Sequence, residues 1–317
     1  MTPGAGRALF GLAVDSELPL PDLPSAGADA PRVEVRFGDV PPQDGHLRAT
    51  PDGALALQIP SVGRFLISDG ESIVIDPAPE AGERELRVFL LGSAFGALLH
   101  QRGLLPLHAN CIAIGGRAVA FLGRSGAGKS TLAHWFQRGG HAILADDVSA
   151  IAPAQPPLAL PGVPRLRLWQ DALEAAGLDG GAYPRSFARQ NKFDVPAFAT
   201  CREPLPLAAC YLLAEAAEGE PGRISRLAGL EASEALIANT YRGRFVPLLG
   251  RSEQHLHSCV AVAAQVPVFR AVRRWGRDHY DADATRLRDH SEALLGAPDR
   301  QTRLPYPVET LPRGGAQ

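Results

Sequence analysis

Phe121-Leu122-Gly123-Arg124-Ser125-Gly126-Ala127-Gly128-Lys129-Ser130-Thr131 is the stretch that decides how this chain is read. Its centre has the spacing G-x-x-x-x-G-K-S. Glycines there let successive backbone N–H groups turn inward around a phosphate, and the helix that follows points its positive end at the same charge. Lys129 is expected to reach the outer phosphate oxygens, and the Ser130 hydroxyl to ligate Mg²⁺. The motif requires a strand before it and a helix after it. Ala118-Val119-Ala120-Phe121-Leu122 supplies the strand. Residues 129–138, with Leu132, Ala133, Trp135 and Phe136, supply the helix, and Gly139-Gly140 stops it. The nucleotide-binding set is therefore Gly123, Arg124, Ser125, Gly126, Ala127, Gly128, Lys129, Ser130 and Thr131.

Lysine usage supports the motif. Of 32 basic residues only Lys129 and Lys192 are lysines, so arginine carries nearly all positive charge. A lysine kept at this place suggests a need for a compact ammonium. Its scarcity makes an accidental match on the order of one chance in several hundred.

Outward from the loop, His141-Ala142-Ile143-Leu144-Ala145 reads as a buried strand ending in Asp146-Asp147. Strand, crossover helix and strand form a right-handed βαβ unit. The aspartates should then lie beside the loop, at the end of the next parallel strand. Phosphoryl chemistry needs a carboxylate there, and two permit one to serve a metal while the other accepts a hydroxyl proton. On the other side, Leu107 to Ile114 and Arg117 to Leu122 are joined by Gly115-Gly116, a tight hairpin. If Ile114 faces Arg117, then His108 faces Gly123, and a titratable ring sits next to the phosphates.

Three further cations are candidates. Arg165 and Arg167 fall on one face by alternation, suited to an anion or to solvent. Lys192 lies in Asn191-Lys192-Phe193-Asp194, which fits the guanine-reading N-K-x-D pattern. That reading is rejected, because the preceding Tyr183 to Gln190 is polar and no D-x-x-G follows the loop. Lys192 either contacts a phosphate or the acceptor, or lies on the surface.

The chain of 317 residues divides into a β-rich N-terminal domain (1–81), a connecting helix (82–105), the catalytic domain (106–296) and a flexible tail (297–317). In the first, Val33–Phe37, Ala54–Ile59, Gly63–Ile67 and Ser72–Ile75 read as a meander of hairpins. Beyond residue 150, helices are expected at Leu166–Ala176, Ala232–Asn239 and Ser252–Ala264, and strands at Leu207–Leu213 and Val266–Val272. At 45% hydrophobic residues the chain can build a large core. A net charge of −2 gives no case for nucleic acid or an anionic membrane. No apolar run nears the roughly 20 residues that span a bilayer, and no signal pattern opens the chain. A soluble cytoplasmic protein is expected. The four cysteines lack C-x-x-C spacing, which speaks against zinc and redox roles.

The run from His108 through the loop to Gly139-Gly140-His141 and Ala145-Asp146-Asp147 resembles the catalytic domain of the bacterial HPr kinase/phosphorylase family. The dense match covers about 40 residues. The resemblance implies an α/β fold, with a P-loop core of the HPr kinase type: a mixed sheet with flanking helices. It implies ATP and Mg²⁺ as cofactors and a peptide or protein carrying the acceptor serine as partner, with assembly as a homo-oligomer. It makes Asp146 the general base, His108 its assistant, and Ser130 and Asp147 the metal ligands. Thr131 stands where that family has an acidic residue. Ser16-Glu17-Leu18-Pro19-Leu20-Pro21, Leu90-Leu91-Gly92-Ser93 and Arg102 to His108 look more like the HPr-kinase-related proteins of lasso-peptide clusters, which phosphorylate a serine near the end of the precursor peptide. A small-molecule kinase on the same core, and a nucleotide-gated module without transfer, are the competing functions.

Overall fold

Two mixed sheets, a two-stranded ribbon and eight α-helices make up the α/β fold of this computed structural model, which describes residues 6–187, 191–274 and 276–296. The expected tail, 297–317, lies outside the described residues.

The first sheet comprises β1 (Arg7–Leu9), β2 (Leu12–Ser16), β3 (Arg32–Phe37), β4 (Leu47–Ala49), β5 (Leu55–Ile59), β6 (Gly63–Ser68) and β7 (Ser72–Pro77). Its order is β1-β2-β3-β7-β6-β5-β4. Strands β5 to β7 are antiparallel neighbours, as the meander reading expects, and β4, outside that reading, extends them. The other half corrects the reading: β3, expected in the same hairpin meander, runs parallel to both β2 and β7. Parallel neighbours require a long crossover, and the Pro-rich connection between β2 and β3 provides one. Phe65 and Ile67 alternate with half-buried Arg64 and Leu66, so β6 has one dry face.

That face packs on α1 (Glu83–Phe89) and α2 (Phe95–Gln101), through Leu86, Phe95, Leu98 and Leu99. Each such side chain contributes about 1.5–3 kcal/mol on burial. The two helices are joined by a π-helical turn, Leu90–Ala94, rather than forming one regular helix. Tyr241 approaches this turn so closely that a Cβ on Gly92 would lie 3.1 Å from its hydroxyl. Gly103, at φ +72°, ends the segment.

The second sheet contains β8 (Leu105–Leu107), β9 (Ala109–Ile114), β10 (Arg117–Leu122), β11 (Ala142–Ala145), β12 (Ser149–Ala152) and β13 (Leu158–Leu160). The ribbon, β14 (Arg165–Trp169) with β15 (Lys192–Pro196), stands apart from it, and β16 (Leu205–Glu215), β17 (Arg223–Leu227) and β18 (Val268–Arg273) complete the sheet. The order is β11-β9-β10-β16-β13-β12-β8, with β18 on β16 and β17 on β18. One face is covered by α5 (Leu230–Ala238) and α7 (Ser252–Gln265), with α6 (Phe245–Leu248) nearby. The other is covered by α3 (Lys129–Arg138), α8 (Arg277–Leu294) and the ribbon with α4 (Gln170–Ala175). Among the described residues no helix is long and apolar enough to cross a membrane.

Three further sequence expectations are corrected. The helix read at Leu166–Ala176 is half strand: Leu166 and Leu168 are buried between half-buried Arg165 and Arg167, and helix begins only at Gln170. The 18-residue α8 was not foreseen, because its charged sequence turns few apolar residues, Ala284 and Leu287 among them, toward the core. Finally, β11 is not the immediate neighbour of β10. It runs in the same direction, but antiparallel β9 lies between them.

Candidate active site

That intervening strand brings the site together. The C-terminal end of β10, the N-terminal end of β9 and the C-terminal end of β11 lie side by side, and from them emerge Gly123, His108 and Asp146-Asp147. The hairpin register is the expected one, from Ile114 opposite Arg117 to Ala109 opposite Leu122. The β11–β12 segment runs antiparallel to β8–β9, with Ala145 facing Cys111 and Ser149 facing Leu107. Both segments are interrupted between those pairs, at His108 and at the aspartates. Asp147 adopts φ +70°. A left-handed non-glycine residue costs on the order of 1–3 kcal/mol, and here it turns the aspartate pair out of the ladder.

The loop after β10 closes with Gly128 at φ +73°, directly before α3. Lys129 is buried, and its ammonium donates to the carbonyls of Gly123 (2.7 Å) and Arg124 (3.0 Å) and to His108 Nε2 (3.1 Å). Burial, only partly opposed by Asp146 and Asp147, pulls its pKa down to about 8. Asn110, one residue beyond the start of β9, donates to the Lys129 carbonyl and holds the first turn of α3 in place.

His108 accepts from Lys129 at Nε2, so its proton sits on Nδ1, which donates to the Asp147 carbonyl at 3.0 Å. Burial and the Lys129 charge lower its pKa and keep the ring neutral. Asp146 is buried; its Oδ1 accepts from the Ser130 hydroxyl at 2.9 Å and its Oδ2 from the Arg167 backbone N–H at 2.8 Å. Burial raises its pKa. The two neighbours in sequence are thus pushed apart. Burial would raise Asp147 too, but the charge of Arg167, 2.7 Å away, with Lys192 and Lys129, holds it down at about 2.

The ribbon supplies the remaining charges. Arg167 bridges Asp147 and Asp194, and Arg165 lies 3.3 Å from Asp194. Lys192 is close enough for its charge to act on Asp146, Asp147, Lys129 and His108, and its ammonium lies over the Trp169 ring at 5.9 Å. Asn191-Lys192-Phe193-Asp194 opens a strand, not a loop after one, in keeping with rejection of the guanine-reading pattern.

Asp194, which accepts from Ser186 and also faces Arg84, organises this corner and was not read as a site residue. The signal lay in the strand alternation of Arg165 and Arg167, which requires a carboxylate on the paired strand. Behind Asp146 and Asp147, Phe10 and Leu91 help to line a cavity of about 10 Å³. That is room for at most one water.

The donor set at the loop is all oxygen: Ser130 and two carboxylates. Mg²⁺ is usually held by one or two carboxylates together with substrate phosphates, and this set fits it. Among the described residues no three His, Cys, Asp or Glu side chains form a dedicated metal cage.

No family model and no curated protein matches the chain. Among solved structures it is similar to the Hpr(Ser) kinase/phosphatase from Coxiella burnetii, at 16% identity and a TM-score of 0.32, over 60% of this chain and 93% of that one.

Proposed function

We propose that this chain is an ATP- and Mg²⁺-dependent kinase that transfers the γ-phosphoryl group to a serine hydroxyl of a peptide or protein. The observation that carries the reading is the convergence of the Gly123–Ser130 loop, His108 and Asp146-Asp147 at three adjacent strand ends. Binding alone needs no second carboxylate at the metal.

In this reading the phosphates replace Gly123 and Arg124 as partners of Lys129. Mg²⁺, when bound by Ser130 and Asp147, offsets charge on the phosphate oxygens. Asp146, whose raised pKa makes it the better base of the pair, takes the serine proton as the serine oxygen bonds to phosphorus and the ADP oxygen leaves. Ser130 can ligate metal through its oxygen while still donating to Asp146. His108, neutral and tied to Asp147, fixes the geometry of the carboxylates and leaves Nε2 facing the phosphates once Lys129 moves to them. Arg165, Arg167 and Lys192 offset the negative charge that gathers beside the acceptor.

The narrower reading, that the acceptor belongs to a lasso precursor peptide, is supported by the three sequence segments at 16–21, 90–93 and 102–108. Transfer of labelled γ-phosphate from ATP to a serine peptide tests the general reaction. Asp146→Asn should lower the transfer rate by about 10²–10⁴-fold while nucleotide still binds. Unchanged transfer would remove Asp146 from the proton role. Label appearing only in a metabolite would replace the peptide acceptor by a small molecule.

A further inference from the structure

On the far side of β10 from His108 lie β16 and then β18, both parallel to it. The end of β18 carries Arg273, whose Nη2 donates to the Ala127 carbonyl in the phosphate loop. Its guanidinium also lies beside Gly128, where a Cβ would be in ordinary van der Waals contact with the same nitrogen, at 3.6 Å. The guanidinium therefore lies against the loop backbone, opposite the catalytic pair.

Arg273 differs from the arginines of the catalytic side. Arg84, Arg165 and Arg167 each face a carboxylate, whereas Arg273 has none within 4.0 Å among the described residues. The carboxylate whose charge acts on it, after the Tyr280 phenol, is Asp283, and that is engaged by the Arg274 backbone N–H at 2.8 Å and by Arg286 at 2.6 Å. The Arg273 Nε and the neighbouring Tyr280 hydroxyl are both buried without a hydrogen-bond partner among the described residues. Burying a guanidinium and leaving it without an anion is costly. Beside a phosphate loop, the cost is offset when the anion arrives with the ligand.

We propose that Arg273 is a nucleotide-binding residue that receives the α-phosphate. This rests on the kinase reading above. The transferred phosphoryl group must face Asp146 and His108, so the phosphate chain runs across the loop toward β16 and β18. The planar fork of an arginine fits a phosphate there by two parallel hydrogen bonds. The site thereby favours a nucleoside phosphate over pyrophosphate, which fills only the loop's central cradle.

Calorimetric titration of the full chain with MgADP and with magnesium pyrophosphate tests this. Arg273→Gln should weaken ADP roughly tenfold or more and leave pyrophosphate within about twofold. Lys129→Met should weaken both. Equal losses for the two ligands in Arg273→Gln would reduce Arg273 to a brace for the loop, and an unchanged ADP affinity would remove it from the site; either overturns the proposal. Arg273→Lys is read by the same criterion if the glutamine variant does not fold. If the unaltered chain binds neither ligand, the nucleotide reading itself fails, and this inference falls with it.

Discussion

The two sheets of this molecule dispose of charge in different ways. In the first, β3 and β6 alternate between a dry and a wet face, and charged side chains lie along the strands. The Arg32–Asp15 pair, with 61% and 36% side-chain exposure, belongs to that wet surface. In the second, β9 and β10 are buried on nearly all positions, sandwiched between helical layers. No face is left for charge, so it collects at the strand ends. The site is the result: Lys129, His108, Asp146 and Asp147 meet where three buried strands stop. Strands with one wet face can spread their charges singly, whereas strands such as β9 and β10 with none concentrate them at their ends, where burial shifts their pKa values.

The largest test of this contrast is Lys129→Met. Removing a donor of charge-assisted bonds should weaken nucleotide binding roughly 10²–10³-fold. Because the change relieves a buried ammonium, the thermal midpoint should not fall, and a collapse of the fold would show that the strand-end charges hold the sheet together. Phe65→Ala, by contrast, should cost about 3–5 kcal/mol of stability in the first sheet. Nucleotide affinity, measured below the lowered melting point, should stay near that of the unaltered chain; a parallel loss would couple the two sheets more tightly than their chemistry suggests.

A smaller effect concerns pH. With its pKa lowered to about 8, Lys129 is neutral above that value in the free protein. A phosphate anion favours the charged form, so affinity should fall by up to about tenfold for each pH unit above 8, with proton uptake on binding. Titration in buffers of different ionisation enthalpy reads that uptake, and its absence would mean that the ammonium stays charged throughout. The smallest effect belongs to the wet face: Arg32→Ala should change stability by less than about 1 kcal/mol. A greater loss in urea unfolding would make that face more than a solvated surface.

Much of the site can be read from local sequence, because a phosphate loop is a backbone device with its own glycines. The Gly-Gly turn went further, since hairpin register carries His108 to the loop without any tertiary information. What stayed hidden depends on remote pairing. Nothing near Asp146 says that β9 slips between β10 and β11. The Arg165–Trp169 strand read as helix because Ala172 and Leu173 continue its apolar residues at helical spacing, whereas its partner Lys192–Pro196 lies more than twenty residues on. Asp194 and Arg273 acquire their places only through such partners, β14 for one and β16 for the other.

Phe10 gives the molecule a practical indivisibility. It sits in the β1–β2 turn at φ +52°, its N–H donates to the Pro161 carbonyl, and its ring shares one apolar cluster with Phe95, Val148, Ala150 and Val163. Val148 directly follows Asp146 and Asp147. A shortened protein beginning at α1 would uncover these residues and leave the Asp146-Asp147 turn without its backing. For anyone seeking a minimal version of the proposed kinase, the β-rich sheet is part of the tool rather than its handle.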